Sequence, residues 1–210
     1  MRKLIRKLSD MRGISGFEYR LTDQIADMFK KYCDDVKIDS LGSVIAVKRS
    51  NKPNAPKLMI EAHCDEIGLI VTSITDEGYL TFANVGGVDE RTLPSTEVTV
   101  HGKEDLWGVI GIKPNYLLEQ GKTAKLKELA VDTGLSAEKV KELVAVGDSI
   151  TLAQSVGRLG KKQFSGKSLD DRASVAAIMR VMKNIKDLDI DIDVYAVAAV
   201  QEEVGCRGGK

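Results

Sequence analysis

Apolar side chains recur at helical spacing in the first part of the chain. Leu4, Ile5, Leu8 and Met11 share one face of a first helix, and Phe17, Leu21, Ile25, Met28, Phe29 and Tyr32 line a second. Between them, Ser15-Gly16-Phe17-Glu18 carries Ser and Glu three positions apart, the spacing of a capping box, and predicts a helix start there. The pattern then shortens. Val44–Val47 and Leu58–Ala62 read as strands, the second running straight into His63-Cys64-Asp65-Glu66. From Gly68 to about Gln163 short β-like runs recur between glycine turns: Leu69–Ile74, Tyr79–Ala83, Glu97–Val100 and Val109–Ile112, with one helical piece, Ala137–Val144. A helix over Ala173–Ile185 and an apolar strand over Ile192–Val200 follow. The simplest description is an α/β unit interrupted by a small β-barrel or sandwich.

Composition narrows the function classes. The 210 residues carry 31 Lys+Arg and 31 Asp+Glu, a formal net charge of +0, which argues against a nucleic-acid binder. No apolar run approaches the ~20 residues that cross a bilayer, so no membrane role is expected. The basic N-terminal stretch lacks a long apolar core and a small-residue cleavage site, so it reads as a core-facing helix rather than a secretory signal. Cys33, Cys64 and Cys206 are odd in number and form no C-x-x-C pair. That excludes a disulfide scaffold and a thiolate zinc site, and fits a reducing cytoplasm.

The candidate chemistry lies where apolar strands end. Val194–Val200 is apolar on both faces, as a central parallel strand is, and is followed by Gln201-Glu202-Glu203. Leu58–Ala62 is followed by His63 and Asp65. Ligands of open α/β sheets bind beyond the carboxyl ends of strands, so the two strands deliver His63, Asp65, Glu202 and Glu203 to one edge. Alternation turns His63 and Asp65 the same way and Cys64 the other. An Asp there suits the partner that orients a metal-bound imidazole. In Ser168-Leu169-Asp170-Asp171-Arg172 the two carboxylates sit at a helix start, where they either cap the helix or reach a site. The stretch Gly160–Ser168 imitates a phosphate loop, but five residues separate Gly160 from Gly166-Lys167-Ser168, where the motif needs four. His101, in Val98-Thr99-Val100-His101-Gly102, reads as a strand-end surface residue. One His with several carboxylates and no Cys ligand suits zinc, cobalt or manganese, and shared carboxylates suit two such ions about 3.5–4 Å apart.

Six pieces occur in one order: Gly13-Ile14-Ser15-Gly16-Phe17-Glu18, His63-Cys64-Asp65-Glu66-Ile67-Gly68, Gly108-Val109-Ile110-Gly111, Val146-Gly147-Asp148, Leu169-Asp170-Asp171-Arg172 and Gln201-Glu202-Glu203-Val204-Gly205. With them the chain resembles the N-terminal part of the dinuclear metallo-aminopeptidases of the tetrahedral type, a family that includes glutamyl and deblocking aminopeptidases and whose members often carry an endoglucanase label. The resemblance implies a zinc-peptidase-like α/β catalytic domain over residues 1–68 and 165–210, interrupted by a small β-barrel dimerisation domain over 69–164. It implies that His63 binds one metal, Asp170 bridges two, Glu203 binds the second, Glu202 is the general base and Asp65 supports His63. It further implies two divalent metal ions per subunit, peptide substrates cleaved at the N-terminal residue, and a homo-oligomer, dimer or dodecamer. The family's catalytic domain continues beyond the matched pieces and supplies a further Asp and a final His, so the expectation for this polypeptide alone is an incomplete site, weak metal binding and little activity.

Two other readings follow from the same features. A glycosidase would use two carboxylates about 5–9.5 Å apart across a sugar; adjacent Glu202 and Glu203 fit that poorly, and it leaves His63 without a task. An assembly or binding module acting through the β insertion is the non-enzymatic alternative.

Overall fold

The structure, a computed structural model, describes residues 1–112 and 124–209. In chain order the elements are α1 (Arg2–Asp10), α2 (Tyr19–Phe29), β1 (Asp35–Ile38), β2 (Val44–Lys48), β3 (Lys57–His63), β4 (Gly68–Ile74), β5 (Leu80–Val85), β6 (Glu97–His101), β7 (Asp105–Ile112), β8 (Leu129–Asp132), α3 (Ala137–Leu143), β9 (Ser149–Leu152), β10 (Gly157–Leu159), β11 (Gln163–Ser165), α4 (Leu169–Ile185) and β12 (Asp193–Ala199). They form two compact units, residues 1–66 with 155–210 and residues 67–154. No helix among the described residues is long and apolar enough to cross a membrane.

The first unit is a four-stranded sheet in the order β1-β2-β12-β3. Ile5 and Leu8 of α1, Leu21, Ile25 and Phe29 of α2, and Val175, Met179 and Met182 of α4 share a core with Val44, Ala46, Ala62, Val194, Ala196 and Ala198 of the sheet. Each large side chain buried there contributes about 1.5–3 kcal/mol. The apolar strand β12 is interior, as its sequence implies. It is parallel only to β3, however, and antiparallel to β2. Residues 155–164, grouped with the insertion on sequence grounds, cluster with this unit. The reason is packing: the β10–β11 hairpin leans Phe164 on the α/β core, and the N–H of Val156 donates to Asp10 Oδ1 at 3.3 Å.

The second unit is a closed antiparallel barrel, β4-β5-β8-β7-β6-β9. Leu69 opposite Ile150 joins β4 to β9 and completes the circuit, leaving no long free edge. Its core combines Leu69, Leu80, Val98, Val100, Ile110, Val131 and Ile150 with Val140 of α3. Strands β8 and β9, four residues each, have no counterpart in the sequence pattern because they are too short to display a period. His101 stands at the end of β6, but it is not a surface residue. Its side chain is 11% exposed, with Nδ1 2.8 Å from Asp105 Oδ1 and Nε2 2.9 Å from Thr151 Oγ1. The antiparallel partners β7 and β9 bring those groups in on either side.

Candidate metal centre

Strands β3 and β12 run side by side and end together. Ala199 lies opposite His63, and the N–H of Cys64 donates to Ala199 O at 2.8 Å. Alternation sends Cys64 into the apolar core and leaves His63 and Asp65 on the other side. A third segment joins them. Residues 13–15 run beside 64–66, with Glu66 N–H donating to Gly13 O at 3.0 Å and Ser15 N–H to Glu66 O at 3.2 Å. After β12, Gln201 takes a left-handed conformation (φ 55°) and the chain turns at once. The N–H groups of Gly205 and Cys206 donate to Glu202 O at 2.9 and 2.8 Å, and that of Gly208 returns to Val200 O at 3.0 Å. A Cβ on Gly208 would collide with the backbone of Val200, so this return needs glycine.

The predicted site residues come together around His63, which is 8% exposed. Its Nε2 lies 3.1 Å from Asp170 Oδ1 and 3.9 Å from Glu202 Oε2. Its Nδ1 faces Asp65 Oδ1 at 3.5 Å, an ion-pair separation too long for a good hydrogen bond, so this buried nitrogen is left without a partner. Ligand atoms of His63, Glu202 and Glu203 all lie within 4.8 Å of one another. Asp170, whose side chain is 90% exposed, joins this group through His63. The start of α4 divides its two carboxylates. Asp170 and Asp171 both depart from helical angles, and Asp171 Oδ1 accepts from Ser174 N–H at 3.2 Å as a cap does. Asp171 serves the helix, and Asp170 faces His63.

The capping box expected at Ser15 and Glu18 does not form. Helix α2 starts at Tyr19, and neither side chain caps it. Ser15 Oγ–H instead donates to Asp65 Oδ2 at 2.5 Å, and Glu18 Oε1 accepts from the N–H of Gln201 at 3.0 Å. Tertiary partners outcompete the local cap because the 13–15 segment is pinned beside β3. The sequence reading also missed Cys206, whose thiol lies 3.1 Å from Glu202 Oε1.

Behind the site is a second, self-contained charge cluster. Arg172 is fully buried, and its guanidinium donates to the carbonyls of Cys64 (2.7 Å), Leu8 (3.0 Å) and Gly13 (3.3 Å), and to Glu66 Oε1 (3.2 Å). Lys167 Nζ donates to Glu66 Oε2 at 2.7 Å and to Met11 O at 2.9 Å. The Gly166-Lys167-Ser168 imitation of a phosphate loop is thus spent on Glu66.

The electrostatics separate the two clusters. Burial alone would raise Glu66, but Arg172 and Lys167 hold its carboxyl below the usual range. Burial likewise opposes the ionised form of Asp65, but the facing His63 ring and hydrogen bonds from the Ser15 hydroxyl and the Glu202 and Glu203 N–H groups win and lower it. Glu203 has no such cation. Burial raises it, and Glu202, Asp170 and Asp65 add repulsion that His63 only partly offsets. For His63, burial acts to lower the pKa, yet the facing Asp65, Asp170 and Glu202 push it up to about 9. A cluster of acids that holds its one imidazole protonated is short of positive charge. One imidazole nitrogen and several carboxylates within a few ångströms fit a divalent cation by donor type.

The sequence profile of M42 glutamyl aminopeptidases matches residues 42–210. The chain belongs to the M42 glutamyl aminopeptidase family. M42 aminopeptidases are metal-dependent. The lysyl aminopeptidase of Pyrococcus furiosus is 35% identical over 216 residues, covering 99% of this chain and 61% of that protein. An aminopeptidase from the archaeon Desulfurococcus kamchatkensis superposes with a TM-score of 0.91 at 37% identity, over 98% of this chain and 57% of that one. The TET1 peptidase of Pyrococcus horikoshii, which can assemble into a tetrahedron or a large octahedral shell, gives 0.88 at 35% identity, over 99% and 63%. The M42 chain described here therefore spans about 60% of the length of these relatives.

Proposed function

We propose that this M42 chain carries a dinuclear metallo-aminopeptidase centre that removes N-terminal residues from peptides. The observation that carries the reading is the convergence of His63, Glu202 and Glu203 at the ends of two neighbouring strands, with Asp170 reaching His63 from the start of α4. His63, Asp170 and Glu203 hold the metals, with Asp65 behind His63. Two divalent ions, zinc, cobalt or manganese, acidify water and polarise the scissile carbonyl when bound. Glu202 is the general base. It takes the proton of the attacking water and passes it to the amine nitrogen as the C–N bond breaks. The division of roles between Asp170 as ligand and Glu202 as base rests on the family resemblance; in the structure Asp170 Oδ1 lies 3.1 Å and Glu202 Oε2 3.9 Å from His63 Nε2. Similarity to a TET1 peptidase that can assemble into shells supports a homo-oligomer; assembly through the barrel unit extends the family resemblance, and a cytoplasmic location extends the cysteine usage.

The test is Glu202→Gln in the full-length protein, with metal content and hydrolysis of an aminoacyl anilide measured together. Metal is expected to stay bound while turnover falls on the order of 10²–10⁴-fold, the usual scale of a lost general base. Turnover retained in that variant would remove Glu202 from the role.

A further inference from the structure

Three consecutive backbone N–H groups leave the end of β12, and each meets a buried carboxylate. Gln201 N–H donates to Glu18 Oε1 at 3.0 Å, Glu202 N–H to Asp65 Oδ1 at 3.1 Å, and Glu203 N–H to Asp65 Oδ2 at 3.2 Å. Successive N–H groups turned toward one side form a concavity that binds anions, and here the protein fills it with its own acids. Glu18 is 6% exposed and Asp65 is fully buried. A carboxylate is buried only where hydrogen bonds or a cation compensate. Glu66, the other buried acid of the unit, has Arg172 and Lys167. Burial raises the Glu18 carboxyl above the usual range; the backbone N–H groups of Gly16, Glu18 and Gln201 act against that, and no side-chain cation is among them.

Two further facts place Glu18 in the site rather than in the helix beside it. Its carboxylate does not cap α2, although it stands one residue before that helix. Its distant partner, Gln201, holds a left-handed conformation that residues with a Cβ adopt rarely. The direction of the chain at Gln201 decides where the next two side chains go.

We propose that Glu18 is a positioning residue of the metal centre: by accepting the Gln201 N–H it fixes the left-handed turn after β12 and so aims Glu202 and Glu203 at the cleft containing His63. This rests on the metallo-aminopeptidase reading of that pair. Ser15 acts in the same layer, through Asp65, so the Gly13–Glu18 segment is a brace for residues 201–203.

The test compares the wild-type chain with Glu18→Met, which keeps the volume and removes the acceptor, and Glu18→Gln, which keeps an acceptor oxygen. Two quantities are read: amide hydrogen exchange of the metal-free chain, residue by residue, and Co²⁺ titration followed by visible absorbance. In Glu18→Met the Gln201 amide is expected to exchange roughly tenfold faster, the Cys64 amide to keep its wild-type rate, the Co²⁺ dissociation constant to rise about tenfold and the band to change shape. Glu18→Gln is expected to restore both readouts. A Gln201 amide as slow in Glu18→Met as in wild type would overturn the proposal. So would a fast Gln201 amide with unchanged Co²⁺ affinity and band, or a lowered melting temperature with both readouts unmoved, which is what packing alone predicts. If Glu18→Met does not fold, Glu18→Gln decides: loss of Co²⁺ binding with the Gln201 amide still protected overturns the proposal, and retention of both supports it. The Co²⁺ titrations use the full-length protein; full-length wild type that takes up no Co²⁺ would count against the metal reading, and the exchange rates would still decide the Glu18 contact.

Discussion

Among the described residues, the barrel unit buries two polar side chains, Ser149 and Thr151, whereas the α/β unit buries Glu18, His63, Asp65, Glu66 and Arg172. Both units have an apolar core; the barrel's is nearly all valine, leucine and isoleucine, and the α/β unit's adds alanine, methionine and Phe29. The difference teaches where to look for chemistry. A buried hydroxyl is cheaply satisfied, while a buried charge costs several kcal/mol unless it is paired. In the α/β unit the charges fall into two groups. Glu66, Lys167 and Arg172 close on one another and on backbone carbonyls. His63, Asp65 and Glu18 support a partly exposed pair, Glu202 and Glu203, whose negative charge faces His63.

The contrast is most easily broken at Arg172. Arg172→Ala removes one of the two cations paired with buried Glu66 and strips the carbonyls of Leu8, Cys64 and Gly13 of a donor. Breaking such a pair costs about 3–5 kcal/mol. Urea unfolding followed by circular dichroism is the measurement, and a loss below 1 kcal/mol would mean that the closed cluster is not structural. In the barrel, Ile110→Ala opens a cavity at a fully buried site and is expected to cost about 3 kcal/mol. That loss is apolar, so it is expected to be the same at every pH and with or without chelator. A pH-dependent loss there would erase the distinction between the units.

A smaller effect separates them by pH. In metal-free protein the folded-state pKa of His63, about 9, lies above the ordinary 6.5. The protonated ring therefore favours folding, fully below about pH 6.5, and that contribution disappears as pH rises through about 9. With chelator present, the melting-temperature gap between wild type and His63→Gln should shrink steadily over this range. A gap that stays constant or widens would contradict the arrangement of acids around His63.

Much of the centre was legible in the chain because its strands announce their ends. The run Leu58–Ala62 stops at His63, and Val194–Val200 stops at Gln201-Glu202-Glu203, so the two polar clusters could be assigned to one sheet edge before any coordinates. The family pattern then supplied Asp170, which local reasoning alone left undecided between cap and site. Ser15 and Glu18 were visible but misread. Their spacing satisfies a helix-cap rule, and only the pairing of residues 13–15 with 64–66 shows that both side chains reach other segments. The four-residue strands β8 and β9 were not visible either, since barrel closure, not propensity, makes them strands. His101 looked like a surface residue because Asp105 and Thr151 come from neighbouring strands.

The central claim is that His63 and the carboxylates around it form one cation site. It is tested most directly by titrating the full-length wild-type protein and its His63→Ala variant with Co²⁺ and following visible absorbance. A saturable band in wild type that is absent from His63→Ala is the predicted result. An identical band in both proteins would contradict it.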